Sequence, residues 1–309
     1  MSELLLPITH RSEVTEDQID HLGHMNVRFY AVNAQAGTAA MLAGLPGWGG
    51  RPYAVHDVYT RHHREQLVGT PLVVRSAVLG AGADGLRLHH ELAAEDTGEL
   101  AATFVHGISP LDEGGGRAPV PDRLAAAAED LAVPVPPYAA SRTILLDADL
   151  MGTAPSLDTL RERGLAIRRE REIYPEECDA AGHYRPELAP MLVWAGEPLR
   201  PETGPMLAEQ PDGTLLAWAT MESRIQLRRL PAAGDRIQSF GAGVAVHDKV
   251  THRVHWTYDL DRGELLSGFE IVSLAFDIRG RRSVSIPDEN RRRELAALQP
   301  DLAPPSGRC

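Results

Sequence analysis

Side chains that could carry chemistry are grouped at two places in the chain. The first group is Asp20, Gly23, His24 and Asn26, and the second is Asp179, Gly182 and His183. Carboxylate and imidazole groups are common carriers of general acid–base chemistry. An aspartate close to a glycine is equally common in turns, where its side chain bonds the backbone. The residues alone leave a reactive pair and an ordinary turn as open alternatives.

A helix is predicted directly after the first group. Residues 26–43 are rich in Ala, Met and Leu, which favour helices, and their apolar side chains recur at three- and four-residue spacing. The residues predicted for the buried face are Phe29, Val32, Ala36, Ala39, Ala40 and Ala43. A helix N-terminus offers unpaired N–H groups and a positive dipole end, and the first group stands beside that end.

The rest of the first half of the chain reads as strands. They are predicted at 10–16, 54–65, 71–80, 86–95 and 99–111, and a short helix is predicted at 122–131. The last four strands form an antiparallel meander that wraps the long helix. The Pro-rich stretch 133–138 then indicates a linker.

The second half repeats this plan. A short helix is predicted at 156–164, a strand at 168–174 and a helix at 187–197. Strands follow at 215–230, 235–246, 251–260 and 264–277, and a closing helix at 288–298. Pro186 and Pro190 should shorten the central helix of this half, so that it begins or bends near Pro190.

Sequence identities support a duplication. DTGELAATFVHGISPLD at 96–112 matches DRGELLSGFEIVSLAFD at 261–277, an offset of 165 residues. Asp20-His21-Leu22-Gly23-His24 matches Asp179-Ala180-Ala181-Gly182-His183 at an offset of 159. Matches in a common order indicate two copies of one unit. The predicted domains are therefore 1–138 and 139–309.

The motif at the start of the long helix resembles that of a known family. Its spacing is Asp-x-x-Gly-His-x-Asn-x-x-x-Tyr, and its sharpest part is Gly23-His24-Met25-Asn26. The chain resembles the hotdog-fold acyl-CoA thioesterases of the 4-hydroxybenzoyl-CoA thioesterase type, in two tandem copies. The resemblance implies an α+β fold with two tandem hotdog domains, each an antiparallel sheet wrapped around a central helix. One chain would then supply what two subunits supply in single-hotdog relatives.

The resemblance also implies an activity. It is hydrolysis of an acyl-CoA or acyl-carrier-protein thioester to free acid and thiol, with no cofactor and no metal. Asp20 would be the catalytic carboxylate, acting as nucleophile or as general base. His24 and Asn26 would orient Asp20 or bond the thioester. Gly23, the backbone amide of Val27 and Tyr30 would face the substrate, although a helix cap at Asn26 and a core position for Tyr30 are structural alternatives.

The second group departs from the family pattern. Asp179, Gly182 and His183 remain, as a further catalytic aspartate and two substrate-binding residues, but Arg185 replaces the motif Asn and Ala189 replaces the Tyr. We therefore expect Asp179 to matter less for catalysis than Asp20.

Local arginine clusters could bind the phosphates of coenzyme A, since guanidinium groups pair with phosphate. The preferred cluster is Arg279, Arg281 and Arg282; the others are Arg61 to Arg64 and Arg224, Arg228 and Arg229. Solvated strand faces are the alternative for all three clusters. Glu65 and Asp235 are interpreted as structural turn residues. Cys178 is interpreted as a small buried hydrophobe.

Composition excludes several function classes. The 309 residues carry 31 Lys and Arg against 43 Asp and Glu, a net charge of −12, so nucleic acid is not an expected partner. No signal peptide, membrane span or nucleotide, P-loop, Ser-elbow or zinc-protease motif is recognised, and the two cysteines, Cys178 and Cys309, suggest no disulfide framework. We expect a cytoplasmic protein, in which double-hotdog units can form a homo-oligomer. The rival functions are a hotdog enoyl-CoA hydratase or dehydratase and a non-catalytic acyl-thioester binder.

Overall fold

The computed structural model describes residues 6–20, 22–82, 85–113, 116–199 and 207–305. His21 and Cys309 lie outside the described residues. The chain divides into two compact units, Met1–Ala140 and Ser141–Cys309, whereas the sequence repeat placed the division after residue 138.

The first unit is one antiparallel sheet with a long helix. In chain order its elements are β1 (Ile8–Glu13), α1 (Val27–Gly44), β2 (Tyr53–His62), β3 (Pro71–Gly82), β4 (Gly85–Ala94), β5 (Leu100–Pro110) and α2 (Asp122–Asp130). The strands lie in the order β1-β3-β4-β5-β2, and each neighbouring pair is antiparallel. The predicted helix and meander strands are confirmed to within a few residues at their ends, whereas the predicted first strand, 10–16, is displaced to Ile8–Glu13.

The second unit repeats the sheet. Its elements are α3 (Leu157–Glu162), β6 (Arg171–Glu172), β7 (Leu207–Glu209), β8 (Leu215–Leu227), β9 (Arg236–Val246), β10 (Val250–Asp259), β11 (Glu264–Asp277), β12 (Arg282–Ser283) and α4 (Asp288–Ala296). The main strands lie in the order β8-β11-β10-β9-β6, with β7 against β8 and β12 against β11. The strand predicted at 168–174 is reduced to the two residues of β6.

The predicted buried face of α1 is wrong for most of its residues, although Phe29 packs half-buried against the core and Ala36 is half-buried. Ala39, Ala40 and Ala43 are exposed, and Val32 keeps 38% of its surface accessible. The buried residues of α1 are Tyr30, Asn33, Ala34, Gly37, Thr38 and Leu42. The prediction followed apolar content alone. It failed because polar side chains on the opposite face find hydrogen-bond partners inside the unit, which removes the cost of burying them.

Those partners form a buried polar network between α1 and the sheet. Thr38 Oγ1 on α1 lies 2.9 Å from His90 Nε2 and 2.8 Å from His106 Nδ1. His90 Nδ1 lies 2.7 Å from the Ser76 hydroxyl, which in turn lies 2.6 Å from the hydroxyl of Thr9. The network therefore ties α1 to β1, β3, β4 and β5.

The central helix of the second unit is not an α-helix. Residues Pro186–Trp194 form a 3-10 helix with Pro190 inside it, where an α-helix was predicted at 187–197. Proline has no N–H, so Pro190 cannot donate the i→i−4 bond to Pro186 that an α-helix needs there. Across the described parts of the chain, no helix is long and apolar enough to cross a membrane.

Candidate active site

The motif before α1 is a closed loop. Ile19 and Met25 form an antiparallel bridge, and between them the Asp20 N–H donates to the His24 carbonyl at 3.0 Å. The Gly23 N–H donates to the Asp20 carbonyl, also at 3.0 Å. Gly23 has φ +84°, a left-handed conformation that favours glycine. The motif glycine is therefore required by the backbone of this turn.

The loop brings together a histidine and two carboxylates. Asp20 Oδ1 accepts the Leu22 N–H at 2.8 Å, while Oδ2 lies 3.8 Å from His24 Nδ1. On the other side of the imidazole ring, Glu65 Oε1 lies 3.6 Å from Nε2. The side chains of Asp20 and His24 are 14% and 18% exposed, and that of Glu65 is 34% exposed. The group is partly shielded from water but remains open to a ligand.

The interpretation of Glu65 as a turn residue was wrong. Glu65 lies just beyond the end of β2, 41 residues after His24, and no motif or spacing joins it to the loop. The link is topological, because the Met25 N–H donates to the Gln66 carbonyl at 2.8 Å and so holds the end of β2 against the loop. Only the pairing of two distant segments identifies this residue.

Asn26 is used as a helix cap. Its side-chain oxygen accepts the Arg28 N–H at 3.0 Å, and its own N–H donates to the Gln18 carbonyl at 2.9 Å. This is the ordinary geometry of an N-cap, which satisfies amides at the start of a helix. The side-chain oxygen and the backbone N–H of Asn26 are therefore both used in hydrogen bonds. The next backbone N–H, that of Val27, is the candidate for binding an oxyanion, and Val27 is 43% exposed.

Tyr30 lies in the core, with 3% of its surface exposed. Its hydroxyl donates to the Arg64 carbonyl at 3.1 Å, and its ring meets the His62 ring edge to face at 5.3 Å. Burial, aided by the nearby carboxylates of Glu65 and Asp20, raises the pKa of Tyr30. It stays a neutral phenol, and its burial contradicts the expectation that it contacts substrate.

The second group keeps the backbone of the first but not its setting. The Asp179 N–H donates to the His183 carbonyl at 2.8 Å, the Gly182 N–H donates to the Asp179 carbonyl at 3.0 Å, and Gly182 has φ +81°. Asp179 and His183 are both exposed. This loop precedes the 3-10 helix that stands where the first unit has α1. Asp179 and His183 are therefore more exposed to water than Asp20 and His24.

The preferred arginine cluster lies among carboxylates. Arg279 Nη1 is 2.7 Å from Glu209 Oε1, and Arg282 Nε is 3.8 Å from Asp277 Oδ2. Arg281 occupies the turn between them with φ +51°. The nearby carboxylates offset part of the positive charge of this cluster. Phosphate binding by these arginines stays a prediction.

Two arginines of the other clusters have structural partners. Arg61 is buried and donates to the carbonyls of Tyr138 and Ala140 at 2.7 and 2.8 Å. Arg224 is buried and donates to the carbonyls of Leu145 and Ala148 at 2.6 and 2.8 Å. Both guanidinium groups hold neighbouring chain segments and are not exposed to a phosphate.

Arg229 pairs with three carboxylates. The contacts are 2.8 Å to Asp235, 2.5 Å to Asp259 and 3.0 Å to Glu264. The hydrogen bonds that Asp235 accepts from Arg229, the Ala232 N–H and Arg262 outweigh burial and lower its pKa to about 2. Asp235 is thus a structural residue, as interpreted from the sequence.

The described residues offer neither a nucleophilic thiol nor a metal centre. Partial burial and the carboxylates of Glu177 and Asp179 raise the pKa of the Cys178 thiol, whereas a nucleophilic cysteine needs a lowered one. Within the described ranges, no cluster of three or more His, Cys, Asp or Glu side chains is arranged to hold a metal ion.

Comparison with known proteins identifies the fold. The chain superimposes on the 12:0-ACP thioesterase from Umbellularia californica with a TM-score of 0.62 and 11% identity, covering 88% of this chain and 94% of that one. The acyl-ACP thioesterase from Bacteroides thetaiotaomicron VPI-5482 gives a TM-score of 0.59 and 11% identity, covering 85% of this chain and 96% of that one. Because the identities are this low, these similarities establish the fold alone.

The sequence of the first unit matches a protein-family model. Residues 14–128 match the family model described as the thioesterase-like superfamily, which spans the Asp20 loop, α1 and the meander. Curated proteins gave no match. The first unit is therefore similar in sequence to the thioesterase-like superfamily, and the chain as a whole has the fold of these acyl-ACP thioesterases, built from two compact units.

Proposed function

We propose that the protein hydrolyses an acyl-CoA or acyl-carrier-protein thioester to a free acid and a thiol, and that the Asp20 loop carries the reaction. The observation that supports this most is the convergence of Asp20, His24 and Glu65 in one partly shielded group at the start of α1. The equivalent loop of the second unit has its aspartate and histidine exposed.

Asp20 Oδ2 is the oxygen assigned to chemistry, because Oδ1 already accepts the Leu22 N–H. As a base, it takes a proton from water while the water oxygen bonds to the thioester carbon. As a nucleophile, it bonds to that carbon itself and forms an anhydride that water then cleaves. On either route the C–S bond breaks, and the thiolate leaves and gains a proton.

Charge near the reaction centre follows from the same geometry. His24 lies within 4 Å of both carboxylates, and its imidazole is assigned to delivering the proton that the leaving thiolate needs. The Val27 N–H at the positive end of α1 is assigned to the oxyanion formed on thioester attack. Gly23, without a Cβ, lets the substrate approach the backbone of the loop.

The first experiment measures thiol release. Aliphatic, aryl and polar acyl-CoAs, and acyl-carrier-protein thioesters, are incubated with the protein and a thiol reagent. We expect hydrolysis of at least one class, and a loss of kcat/KM of about 100-fold or more in Asp20→Asn, since a positioned acid–base group contributes about 10²–10⁴-fold. A hydratase would consume an enoyl-CoA without releasing thiol.

Asp179→Asn is the matched control. Its loop has the same backbone hydrogen bonds, so the substitution makes the same local change in an exposed setting. We expect kcat/KM to fall less than tenfold, a smaller effect than that expected for a catalytic group. Full activity in Asp20→Asn would rule out the assigned carboxylate, and a larger loss in Asp179→Asn would move the site to the second unit.

A further inference from the structure

The segment that carries Glu65 is held by hydrogen bonds on three successive carbonyls. The Arg64 carbonyl accepts the Tyr30 hydroxyl at 3.1 Å, and the Glu65 carbonyl accepts Gln66 Nε2 at 3.0 Å. The Gln66 carbonyl accepts the Met25 N–H at 2.8 Å. Two of the three donors thus belong to the loop and helix that carry Asp20.

We propose that Tyr30 is a positioning residue for Glu65: its hydroxyl ties the segment beyond β2 to α1 and thereby keeps the Glu65 carboxylate beside His24. The inference rests on the proposed function and adds to it a group that does not touch the substrate.

The position of Tyr30 explains how it acts on Glu65. It lies one turn into α1, four residues after the Asn26 cap, so its hydroxyl is fixed relative to the loop that holds Asp20 and His24. Glu65 reaches His24 from outside that loop and is 34% exposed, so the placement of its backbone decides where its carboxylate lies.

Tyr30 is poorly suited to act on substrate directly. Its proton is already donated to the Arg64 carbonyl, and only 3% of its surface is exposed. A phenol whose pKa is raised by burial does not give up its proton near neutral pH. The remaining role of Tyr30 is to hold the segment 64–66 in position through its hydrogen bond to the Arg64 carbonyl.

The test is a double-mutant cycle on thioester hydrolysis. We expect Tyr30→Phe to lower kcat about tenfold with KM within about twofold of wild type, because misplacing a catalytic group reduces turnover more than binding. In the Glu65→Gln background the same substitution should have almost no further effect, since residues that act as a unit are not additive. The control is Tyr258→Phe, which removes a buried hydroxyl that donates to the Pro155 carbonyl in the second unit and should leave kcat unchanged.

Hydrogen–deuterium exchange provides a readout that does not depend on turnover. Tyr30→Phe should speed exchange of the backbone amides at 63–66, and Tyr258→Phe should not. Equal exchange in wild type and Tyr30→Phe, unchanged kcat, or additive effects in the cycle would each overturn the positioning role. If wild type releases no thiol from any thioester, the proposed function fails, and the exchange experiment alone decides whether Tyr30 holds the segment.

Discussion

Two aspartates with the same local backbone differ in their surroundings. Asp20 and Asp179 each begin a loop whose glycine, three residues later, donates to the aspartate carbonyl. Only Asp20 is followed by a full α-helix, and its side chain is 14% exposed, whereas Asp179 is exposed. Low exposure strengthens the electrostatic interactions of a carboxylate because water screens them less. The sheltered aspartate is the better candidate for chemistry.

The two motif glycines give a matched prediction at this scale. Gly23 and Gly182 have φ +84° and +81°, and a Cβ added at either position would meet no atom within 4 Å. Alanine at each site should therefore cost the same backbone strain, about 1–2 kcal/mol of unfolding free energy. Urea unfolding of Gly23→Ala and Gly182→Ala measures this cost.

Activity should separate the same two variants. If substrate approaches the first loop, Gly23→Ala lowers kcat/KM about tenfold or more, because a methyl group and a shifted turn disturb the Asp20 geometry. Gly182→Ala should change kcat/KM by less than about threefold. Equal activity losses at equal stability would contradict the assignment of catalysis to the first loop.

At the scale of elements, α1 packs against the sheet through buried polar residues and through a close approach of its backbone to β3. Thr38 meets two histidines of the sheet, and the backbone at Gly37 comes so near β3 that an added Cβ would lie 2.7 Å from Val74 Cγ1. The start of this helix carries the Asp20 loop. Packing in the middle of α1 therefore fixes the position of the site.

Two glycines of α1 test this packing. Gly37→Ala should destabilise the protein by about 1–3 kcal/mol, since the new methyl group must displace the Val74 side chain and crowds those of Ser76 and His90. Gly44→Ala meets nothing within 4 Å at the helix end and should be neutral or stabilise by up to about 1 kcal/mol. Urea midpoints of both variants provide the measurement. Destabilisation by Gly44→Ala as large as by Gly37→Ala would contradict the role of the close approach, because Gly44 has no neighbour for the methyl group to meet.

The same elements show how far sequence patterns reach. The long helix and the meander strands follow from propensity and turn residues, and the motif spacing locates Asp20, Gly23 and His24. The buried face of α1 does not follow, because Asn33 and Thr38 read as solvent-facing until their partners across the unit are known. Glu65 is missed for the same reason, since it joins His24 only through the pairing of Met25 with Gln66.

At the scale of the whole molecule, the two units resemble each other more closely in their backbone hydrogen bonds than in their side chains. The amides of Val14 and Ile173 donate to the carbonyls of Thr70 and Asp235, and those of Met25 and Tyr184 donate to the carbonyls of Gln66 and Pro231. These equivalent bonds hold each motif loop to its own sheet. The first copy kept α1 and a sheltered aspartate, and the second replaced the helix. Both differences agree with the proposal that the first loop carries the reaction.

Buried histidines are present in both copies. His90, in the first unit, corresponds to His255 in the second at the repeat offset of 165. Gly241 stands where the first unit has Ser76, and His255 Nδ1 has no hydrogen-bond partner among the described residues. Burial lowers the pKa of His255 and of His106 to about 3 and that of His90 well below its usual value. All three are neutral in the folded protein at pH 5.

These histidines predict a loss of stability in mild acid. In the unfolded chain they bind protons below about pH 6.5, whereas the folded protein holds them neutral until much lower pH. The unfolded state therefore binds more protons, and stability, which is full above pH 6.5, falls as the pH drops through that value. Each histidine should remove roughly 2 kcal/mol between pH 7 and pH 5. Asp235, with its pKa near 2, stays ionised throughout this range and does not contribute.

Urea unfolding at pH 7, 6 and 5 measures the loss, and His106→Gln isolates one contributor. The variant should be less stable than wild type at pH 7, because Thr38 loses a buried partner. Its stability should nevertheless change by roughly 2 kcal/mol less between pH 7 and pH 5, since one titrating group has been removed. A pH dependence equal to that of wild type would mean that the pKa of His106 does not differ between the folded and unfolded states. His106 would then anchor α1 without making the fold sensitive to acid.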